Sequence, residues 1–407
     1  MSKLILLRAS NDNSNNTFVI SGSKSISQRA LIINHLVNRE TTISNLSNSE
    51  DTSLLYKALL SKNKIINVGK SGTSIRFLTA LFALINKNVI LTGDSYLFSR
   101  PILGLIEVLN NLGANVELIG NQIIINKGNL NGGTIYIDNR HTSQFVSAML
   151  LIAPYFEKGL KLNLYTRELS KSYIDMTLKM INYCGGDANW HDKSIVVNPQ
   201  KYNRSIESIE SDWSSISYIF LSFLFSDLEE IVIKNVTSNS IQGDMSLKDF
   251  FAVLGIKSIF NNSFVTLTKQ NVVLPKKLNW NCERIPDLCQ TFVVACLGLG
   301  IEFTATGIKS LYFKETNRVH AMKQELLKFN TKLEVLDNSI TLYPQSWDKN
   351  KPIVINTYGD HRMALSFSAL VLLNQSIIID NYIVINKSYP NFWNDLIKFG
   401  VNINYMI

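Results

Sequence analysis

The sequence predicts an α/β protein of two domains, assembled from six copies of one helix-and-hairpin unit. Three observations carry this reading. The chain is 407 residues long, more than one ordinary hydrophobic core organises. A weak repeat runs along it: an amphipathic helix ends near Gly or Asn, and a short β-branched strand, a polar turn and a second strand follow. Polar motifs rich in hydroxyls and cations stand at the other ends of the helices, at their starts.

Taken in order, Ser21–Arg29 packs serines, a glycine, a lysine and an arginine just ahead of an apolar helical period at Ile26, Ala30, Ile33 and Val37. Free backbone N–H groups, hydroxyls and the positive dipole end of a helix suit an anion there, most naturally a phosphate. Leu54–Val68 reads as a degenerate first copy of the repeat. Lys70–Arg76 opens a helix with Ile75, Leu78, Phe82 and Ile85 on one face. Val108–Ile125 is the clearest copy: helix, Gly113, strand, turn, strand. Thr142-Ser143-Gln144 opens a helix carrying Phe145, Met149 and Ile152, and Ser170–Tyr173 opens one carrying Ile174, Leu178 and Ile181. Met180–Val197 and Phe251–Leu267 are further copies. Asp287 opens the helix of Leu288 and Phe292, Lys314–Arg318 that of Val319, Met322 and Leu326, and Asp360–Arg362 that of Met363, Phe367 and Leu370. Leu326–Leu342 is another copy, and a truncated one, Leu396–Asn404, closes the chain. Hydroxyls and acids at helix starts are ordinary caps. Cations there are not, because they oppose the helix dipole. Lys24, Arg76, Lys314, Arg318 and Arg362 break that rule together, and a shared bound anion would relieve the conflict.

Composition narrows the function classes. At 46% hydrophobic and 18% charged the chain is globular. Its formal net charge of +8 would attract anionic partners, but no block of like charge appears and aromatics do not interleave with basic runs, so no nucleic-acid partner is expected. A Walker or Gly-x-Gly-x-x-Gly loop is absent. The N-terminus lacks a basic region followed by an apolar one, and the apolar stretches Ile216–Phe225 and Phe292–Ile301 are too short to span a bilayer, so no membrane association and a cytoplasmic location are expected. Cys184, Cys282, Cys289 and Cys296 lack the close pairing and His partners of a metal site and read as buried free thiols. His35, His141, His191 and His320 receive no role.

At these helix starts the chain resembles the 3-phosphoshikimate 1-carboxyvinyltransferases, or EPSP synthases. The resemblance spans nearly the whole chain. It rests on seven ordered motifs: Ser21-Gly-Ser-Lys-Ser25, Gly72-Thr-x-x-Arg76, Arg100-Pro-Ile102, Ser143-Gln-Phe145, Lys314-Glu-Thr316 with Arg318, Asp360-His-Arg362, and Lys387 before Pro390. It implies an inside-out α/β barrel fold of two domains, each of three βαβαββ repeats, with helix starts pointing into the cleft between them. The implied domains are 1–21 plus 211–407, and 22–210, with chain crossings near Ser21 and Glu210.

The resemblance also implies an activity: transfer of the enolpyruvyl group of phosphoenolpyruvate to the 5-hydroxyl of shikimate 3-phosphate, with release of phosphate, by addition and elimination. Such chemistry needs general acids and bases, and cations over the carboxylate and phosphate. By resemblance Asp287 takes the hydroxyl proton, Glu315 handles the methyl proton, Lys24 touches both substrates and acts as an acid toward the bridging oxygen, and His361 assists proton movement. Lys24, Gly72, Arg100, Gln144, Arg318, Arg362 and Lys387 resemble the phosphoenolpyruvate shell; the arginine fork matches carboxylate and phosphate oxygens in pairs. Lys24, Ser25, Arg29, Thr142, Ser143, Gln144, Ser170, Asp287, Ser310 and Lys314 resemble the shikimate 3-phosphate shell. No metal or organic cofactor is implied, and a monomer that closes on its substrates is.

The chain departs from the family pattern at four places. Lys70-Ser71 replaces an Asn or His followed by Ala, placing an added cation beside the phosphoenolpyruvate residues. Asn317 replaces an Asp, which removes an ion-pair partner for a neighbouring cation. Thr142 replaces a Ser, and Ser310 an Asn. A rival reading is a UDP-N-acetylglucosamine enolpyruvyl transferase. It is disfavoured because Lys24 is followed by Ser25 rather than Asn, and no cysteine lies in the Lys87–Ile102 region where that family's reactive loop would be sought. A non-catalytic anion-binding scaffold is the other alternative, and the retained Asp287, Glu315 and Lys24 argue against it.

Overall fold

A computed structural model describes residues 4–9, 16–38, 41–99, 101–137, 144–165, 171–374 and 376–406. The repeat is plainest at Leu103–Asn111, a helix whose end is turned back by Gly113 at φ 101°. A Cβ there would lie 2.1 Å from the Asn129 carbonyl oxygen, so only glycine fits. The hairpin strands Asn115–Ile119 and Gln122–Asn126 follow. Asn110 clamps the first strand to the helix end, donating to Val116 O at 2.8 Å and accepting from Val116 N at 2.9 Å. Asn182 makes the same two bonds to Ala188 in the next copy, at 2.9 and 2.8 Å.

Each full copy is completed by two strands upstream. Ile65–Asn67, helix Gly72–Leu84, Val89–Thr92 and the hairpin give one four-stranded sheet, parallel in its first pair and antiparallel in the others. Gly133–Ile137, Leu160–Leu164 and the hairpin Asp187–His191 with Ser194–Asn198 repeat it. So do Lys277–Asn281, Glu302–Thr306 and the hairpin Lys332–Val335 with Ser339–Tyr343. A fourth sheet takes its first strand, Thr17–Val19, from far upstream and pairs it in parallel with Glu230–Lys234.

Two copies differ from the sequence expectation. The closing copy is not truncated: strand Leu4–Ala9 inserts between Ser376–Ile379 and Val401–Met406, with Leu7 opposite Ile377 on one side and Ile403 on the other. The chain ends together supply the missing hairpin strand. In the first copy Ile65–Asn67 is not a hairpin strand, because it pairs with Val89–Thr92 as the first strand of the following unit. That first copy keeps its helices, Lys24–Val37 and Glu50–Leu60, but its described strand pairing is a single parallel bridge, Ser44 to Ser208.

The residues group into two compact units, Met1–Ser21 with Glu210–Ile407, and Gly22–Ile209. In the second, helices Lys24–Val37, Gly72–Leu84 and Gln144–Ile152 pack on one another and are largely buried. In the first, helices Trp213–Phe225, Cys289–Leu299 and His361–Ser368 do the same. Their cores are filled by side chains such as Leu78, Phe82, Phe220 and Phe292, all 0% exposed, each contributing about 1.5–3 kcal/mol on burial. The sheets lie outside and alternate buried with partly exposed positions, as in Ser194–Asn198. Helices inside and sheets outside is an inside-out arrangement in each unit. No helix among the described residues is long and apolar enough to cross a membrane.

Within the first unit the segment ending at Ser21 and the segment following Glu210 run beside each other. Asp212 N donates to Ser21 O at 3.1 Å and Ser211 Oγ to Ile20 O at 2.9 Å. One residue on, Gly22 lies so near the Asn45 carbonyl that an added Cβ would come to 1.8 Å.

Candidate active site

In the unit completed by Glu210–Ile407, three helix starts carry the charged motifs. Asp287 lies in the one-turn helix Pro286–Leu288, which leads into Cys289–Leu299. Lys314 and Glu315 precede helix Arg318–Leu327, and Asp360 caps His361–Ser368 by accepting from Arg362 N at 2.9 Å. Arg318, 1% exposed, joins them: Nε donates to Asp360 Oδ2 at 2.7 Å, Nη1 to Asp287 Oδ1 at 2.9 Å and Nη2 to Glu315 Oε2 at 2.9 Å. Arg362 Nη2 donates to Asp287 Oδ2 at 2.8 Å and Nη1 to Asp287 O and the Tyr218 hydroxyl, both at 3.1 Å. Lys314 Nζ is 3.1 Å from Asp287 Oδ1, and Lys387 Nζ is 3.1 Å from Glu315 Oε1.

Among the described residues the network holds one more cation than carboxylates. Burial alone would raise the Asp287 pKa, but Arg362, Lys314 and Arg318 win and hold it well below the usual carboxylate range. Burial likewise pulls the Arg318 guanidinium down, and Asp360, Glu315 and Asp287 overcome it and raise it. Burial pushes the Tyr218 phenol up to about 12, and Asp244, which accepts from Ser214 Oγ at 2.5 Å, up to about 6, with the Asp287 charge adding to that rise. His361 is 1% exposed with Nδ1 3.6 Å from Asp360 Oδ1. Ser310 is buried in the short helix Lys309–Phe313, and its hydroxyl has no hydrogen-bond partner among the described residues.

The other unit carries a second group. Lys24 is the first residue of its helix, with Nζ 3.3 Å from Asp51 Oδ2 at the next helix start. Gln28 Nε2 donates to Ser74 Oγ at 3.4 Å and Gln144 Nε2 to Thr73 Oγ1 at 3.0 Å, so the starts of the three central helices are neighbours. Gly72 is the first residue of its helix, behind the Ser71 cap.

The geometry adds partners inside the protein to these expectations. The helix-start cations are relieved from within the protein: Lys24 by Asp51, Lys314 and Arg362 by Asp287, Arg318 by three carboxylates. Arg76 is buried and donates to the Gly72 and Pro101 carbonyls, where it braces the chain. Arg29 is 4% exposed and donates to Thr177 Oγ1, Ser147 Oγ and the Ser25 and Tyr173 carbonyls, tying three helices together. Burial lowers its pKa to about 10. Ser25 is thus engaged through its backbone. Lys70 is largely in solvent, 4.0 Å from Asp94. Asn317 keeps the capping work of the usual Asp, accepting from His320 N at 3.0 Å. The four cysteines are buried and free. Arg100, Thr142, Ser143 and Ser170 lie outside the described residues.

Asp51, Tyr218 and Asp244 were not legible as site residues, and Thr73 was legible only as part of the Gly72-Thr-x-x-Arg76 motif. Asp51 reads as an ordinary first-turn acid and Tyr218 as part of an apolar run; only Gly243-Asp244 ahead of a helix carried any signal.

The model of the family EPSP synthase (3-phosphoshikimate 1-carboxyvinyltransferase) matches residues 10–61 and 55–396. A 3-phosphoshikimate 1-carboxyvinyltransferase of Bacteroides fragilis is 37% identical over 397 residues, covering 95% of this chain and 96% of the relative. One from Buchnera aphidicola is 30% identical over 425 residues, covering 95% and 96%. Among solved structures, an EPSP synthase from Acinetobacter baumannii superposes with a TM-score of 0.75 at 17% identity, covering 99% of this chain and 100% of that one. The enolpyruvyl transferase NikO from Streptomyces tendae gives 0.76 at 13% identity, covering 100% and 99%. These two likenesses speak to the fold, which is that of the enolpyruvyl transferases. With the match of family model and relatives over nearly its whole length, the chain belongs to the EPSP synthase family.

Proposed function

We propose that the protein transfers the enolpyruvyl group of phosphoenolpyruvate to the 5-hydroxyl of shikimate 3-phosphate. The 5-oxygen attacks C2 of phosphoenolpyruvate while C3 gains a proton. In the second step the C2–phosphate bond breaks and C3 returns a proton, so a vinyl ether and inorganic phosphate leave. The observation that carries this reading is the Asp287 carboxylate bound between Arg318, Arg362 and Lys314, with Glu315 bound between Arg318 and Lys387. It supplies two acid–base groups and a surplus of cation at one place.

Arg318, Arg362 and Lys387, with Arg100, Gly72 and Gln144, are assigned to phosphoenolpyruvate. Ser25, Arg29, Thr142, Ser143, Gln144, Ser170, Ser310 and Lys314 are assigned to shikimate 3-phosphate, and Lys24 to both. In this assignment Asp287 takes the 5-hydroxyl proton, Glu315 exchanges the C3 proton, Lys24 protonates the bridging oxygen and His361 assists. A carboxylate held ionised by three cations is a weak base. A substrate anion that draws on Arg318 and Arg362 withdraws part of that hold, so Asp287 gains basicity when phosphoenolpyruvate is in place. The reading calls for no metal or organic cofactor and for residues of both units. It takes the protein as a cytoplasmic monomer without nucleic acid, which sedimentation at assay concentration checks.

The test is phosphate release from phosphoenolpyruvate. Release that requires shikimate 3-phosphate supports the proposal. Release that requires UDP-N-acetylglucosamine instead, or none under either condition, overturns it.

A further inference from the structure

The turn that delivers Asp360 contains a conformational cost. Tyr358 has φ 53° and Gly359 φ 70°, two left-handed residues in succession, and Asp360 N closes the turn on Thr357 O at 2.9 Å. Glycine adopts this region freely; a bulky aromatic does not, and keeps it only where its surroundings hold it. Burial of the ring is not what holds it, since Tyr358 remains 37% exposed. Its hydroxyl is anchored instead, donating to Glu325 Oε1 at 2.8 Å.

Glu325 is itself 0% exposed. Its second oxygen accepts from Asn356 N at 3.0 Å and Lys328 Nζ at 2.6 Å. One buried carboxylate therefore grips the turn twice, at Asn356 and at Tyr358, while Asp380 Oδ1 takes Thr357 N at 2.6 Å. Glu325 lies seven residues beyond Arg318 on the same helix, two turns along the same face. That helix thus carries Arg318 at its start and, at its other end, the group that fixes the turn bearing Arg318's partner, Asp360. Burial and the Glu325 carboxylate push the Tyr358 phenol up to about 12, so it stays a donor at neutral pH.

We infer that Tyr358 and Glu325 are positioning residues for the phosphoenolpyruvate-binding arginines: their hydrogen bond holds a strained turn in the one shape that sets the Asp360 carboxylate against the Arg318 guanidinium and the Arg362 backbone N–H. This inference rests on the assignment of Arg318 and Arg362 to phosphoenolpyruvate. Two substitutions separate anchor from strain. Tyr358→Phe keeps the strained backbone and removes the anchor. Tyr358→Asn also removes the hydroxyl but belongs to a residue type that tolerates the left-handed region.

Steady-state kinetics of the full chain give the readout. Tyr358→Phe is expected to raise the KM for phosphoenolpyruvate about tenfold, with the KM for shikimate 3-phosphate within about twofold, and Tyr358→Asn to recover most of that loss. An unchanged KM for phosphoenolpyruvate in Tyr358→Phe, or equal losses on both substrates, overturns the inference. If Tyr358→Phe does not fold, Glu325→Gln takes its place: an amide accepts on one oxygen only, so it gives up either the Tyr358 hydroxyl or the Asn356 and Lys328 side of the grip, and the same split between the two KM values is required of it. Wild-type protein without turnover defeats the parent assignment alone. Calorimetry with inorganic phosphate then reads the positioning, and equal affinity in wild type and Tyr358→Phe overturns it.

Discussion

Arg318→Lys keeps a positive charge and removes the guanidinium fork. In the structure three nitrogens of Arg318 reach three different carboxylates, at 2.7, 2.9 and 2.9 Å, from a side chain that is 1% exposed. An ammonium on a flexible stem does not span those directions, so one or two of the bonds are lost. A hydrogen bond to a charged group is worth about 1.5–3 kcal/mol. Each carboxylate keeps another partner: Lys314 and Arg362 for Asp287, Lys387 for Glu315, Arg362 N for Asp360. The expected destabilisation is therefore about 2–4 kcal/mol, a shift of about 1 M or more in a urea midpoint at a slope of about 2 kcal/mol per M. Tryptophan emission follows the right unit, because Trp213, Trp280, Trp347 and Trp393 lie in it and Trp190 alone lies in the other. The KM for phosphoenolpyruvate should rise about 10- to 100-fold, equivalent to about 1.4–2.8 kcal/mol. A urea midpoint close to wild type together with a KM within about twofold would refute the argument, since charge alone would then have sufficed.

Asp287→Asn should lower kcat by about 10²–10⁴ with a smaller change in KM, as loss of a general base does. The pH dependence has a definite sign. The folded pKa is held below the unfolded value of about 3.9, so ionised Asp287 stabilises the fold above that pH and its contribution fades as pH falls toward the folded value. The stability gap between wild type and Asp287→Asn should be flat from neutral pH to about 5 and close below about 4; a gap that widens on acidification contradicts the ion-pair account. Gly22→Ala forces a Cβ against the Asn45 carbonyl, and a loss of about 3 kcal/mol or more is expected in a thermal melt, whereas wild-type stability would show that the crossing yields. Asn317→Asp retains the cap and adds an acid at a helix start, so the melting temperature should hold or rise slightly, by about 0.3–1 kcal/mol; a drop equivalent to about 1 kcal/mol would show that Asn317 does more than cap.

What the sequence by itself determined is what local rules write. The helix starting at Lys24, the cap at Asp360, the glycine after Asn111 and the four interior hairpins are each set by residues within one or two turns of each other, through periodicity, capping and φ preference. The charged motifs at helix starts were legible for the same reason. Long-range pairings were not. Leu4–Ala9 completes a sheet with strands at the opposite end of the chain, and nothing in a short apolar run followed by Arg8 names that partner. Among the described residues the first copy pairs its chain only through the bridge of Ser44 with Ser208, a partner more than a hundred residues away. Only the tertiary structure decided which charges meet. Arg76 and Arg29 turn inward to carbonyls and hydroxyls, while Arg318 and Arg362 meet carboxylates from three separate helix starts. Ion-pair energy depends on distance and burial, and both are fixed only when the helices pack.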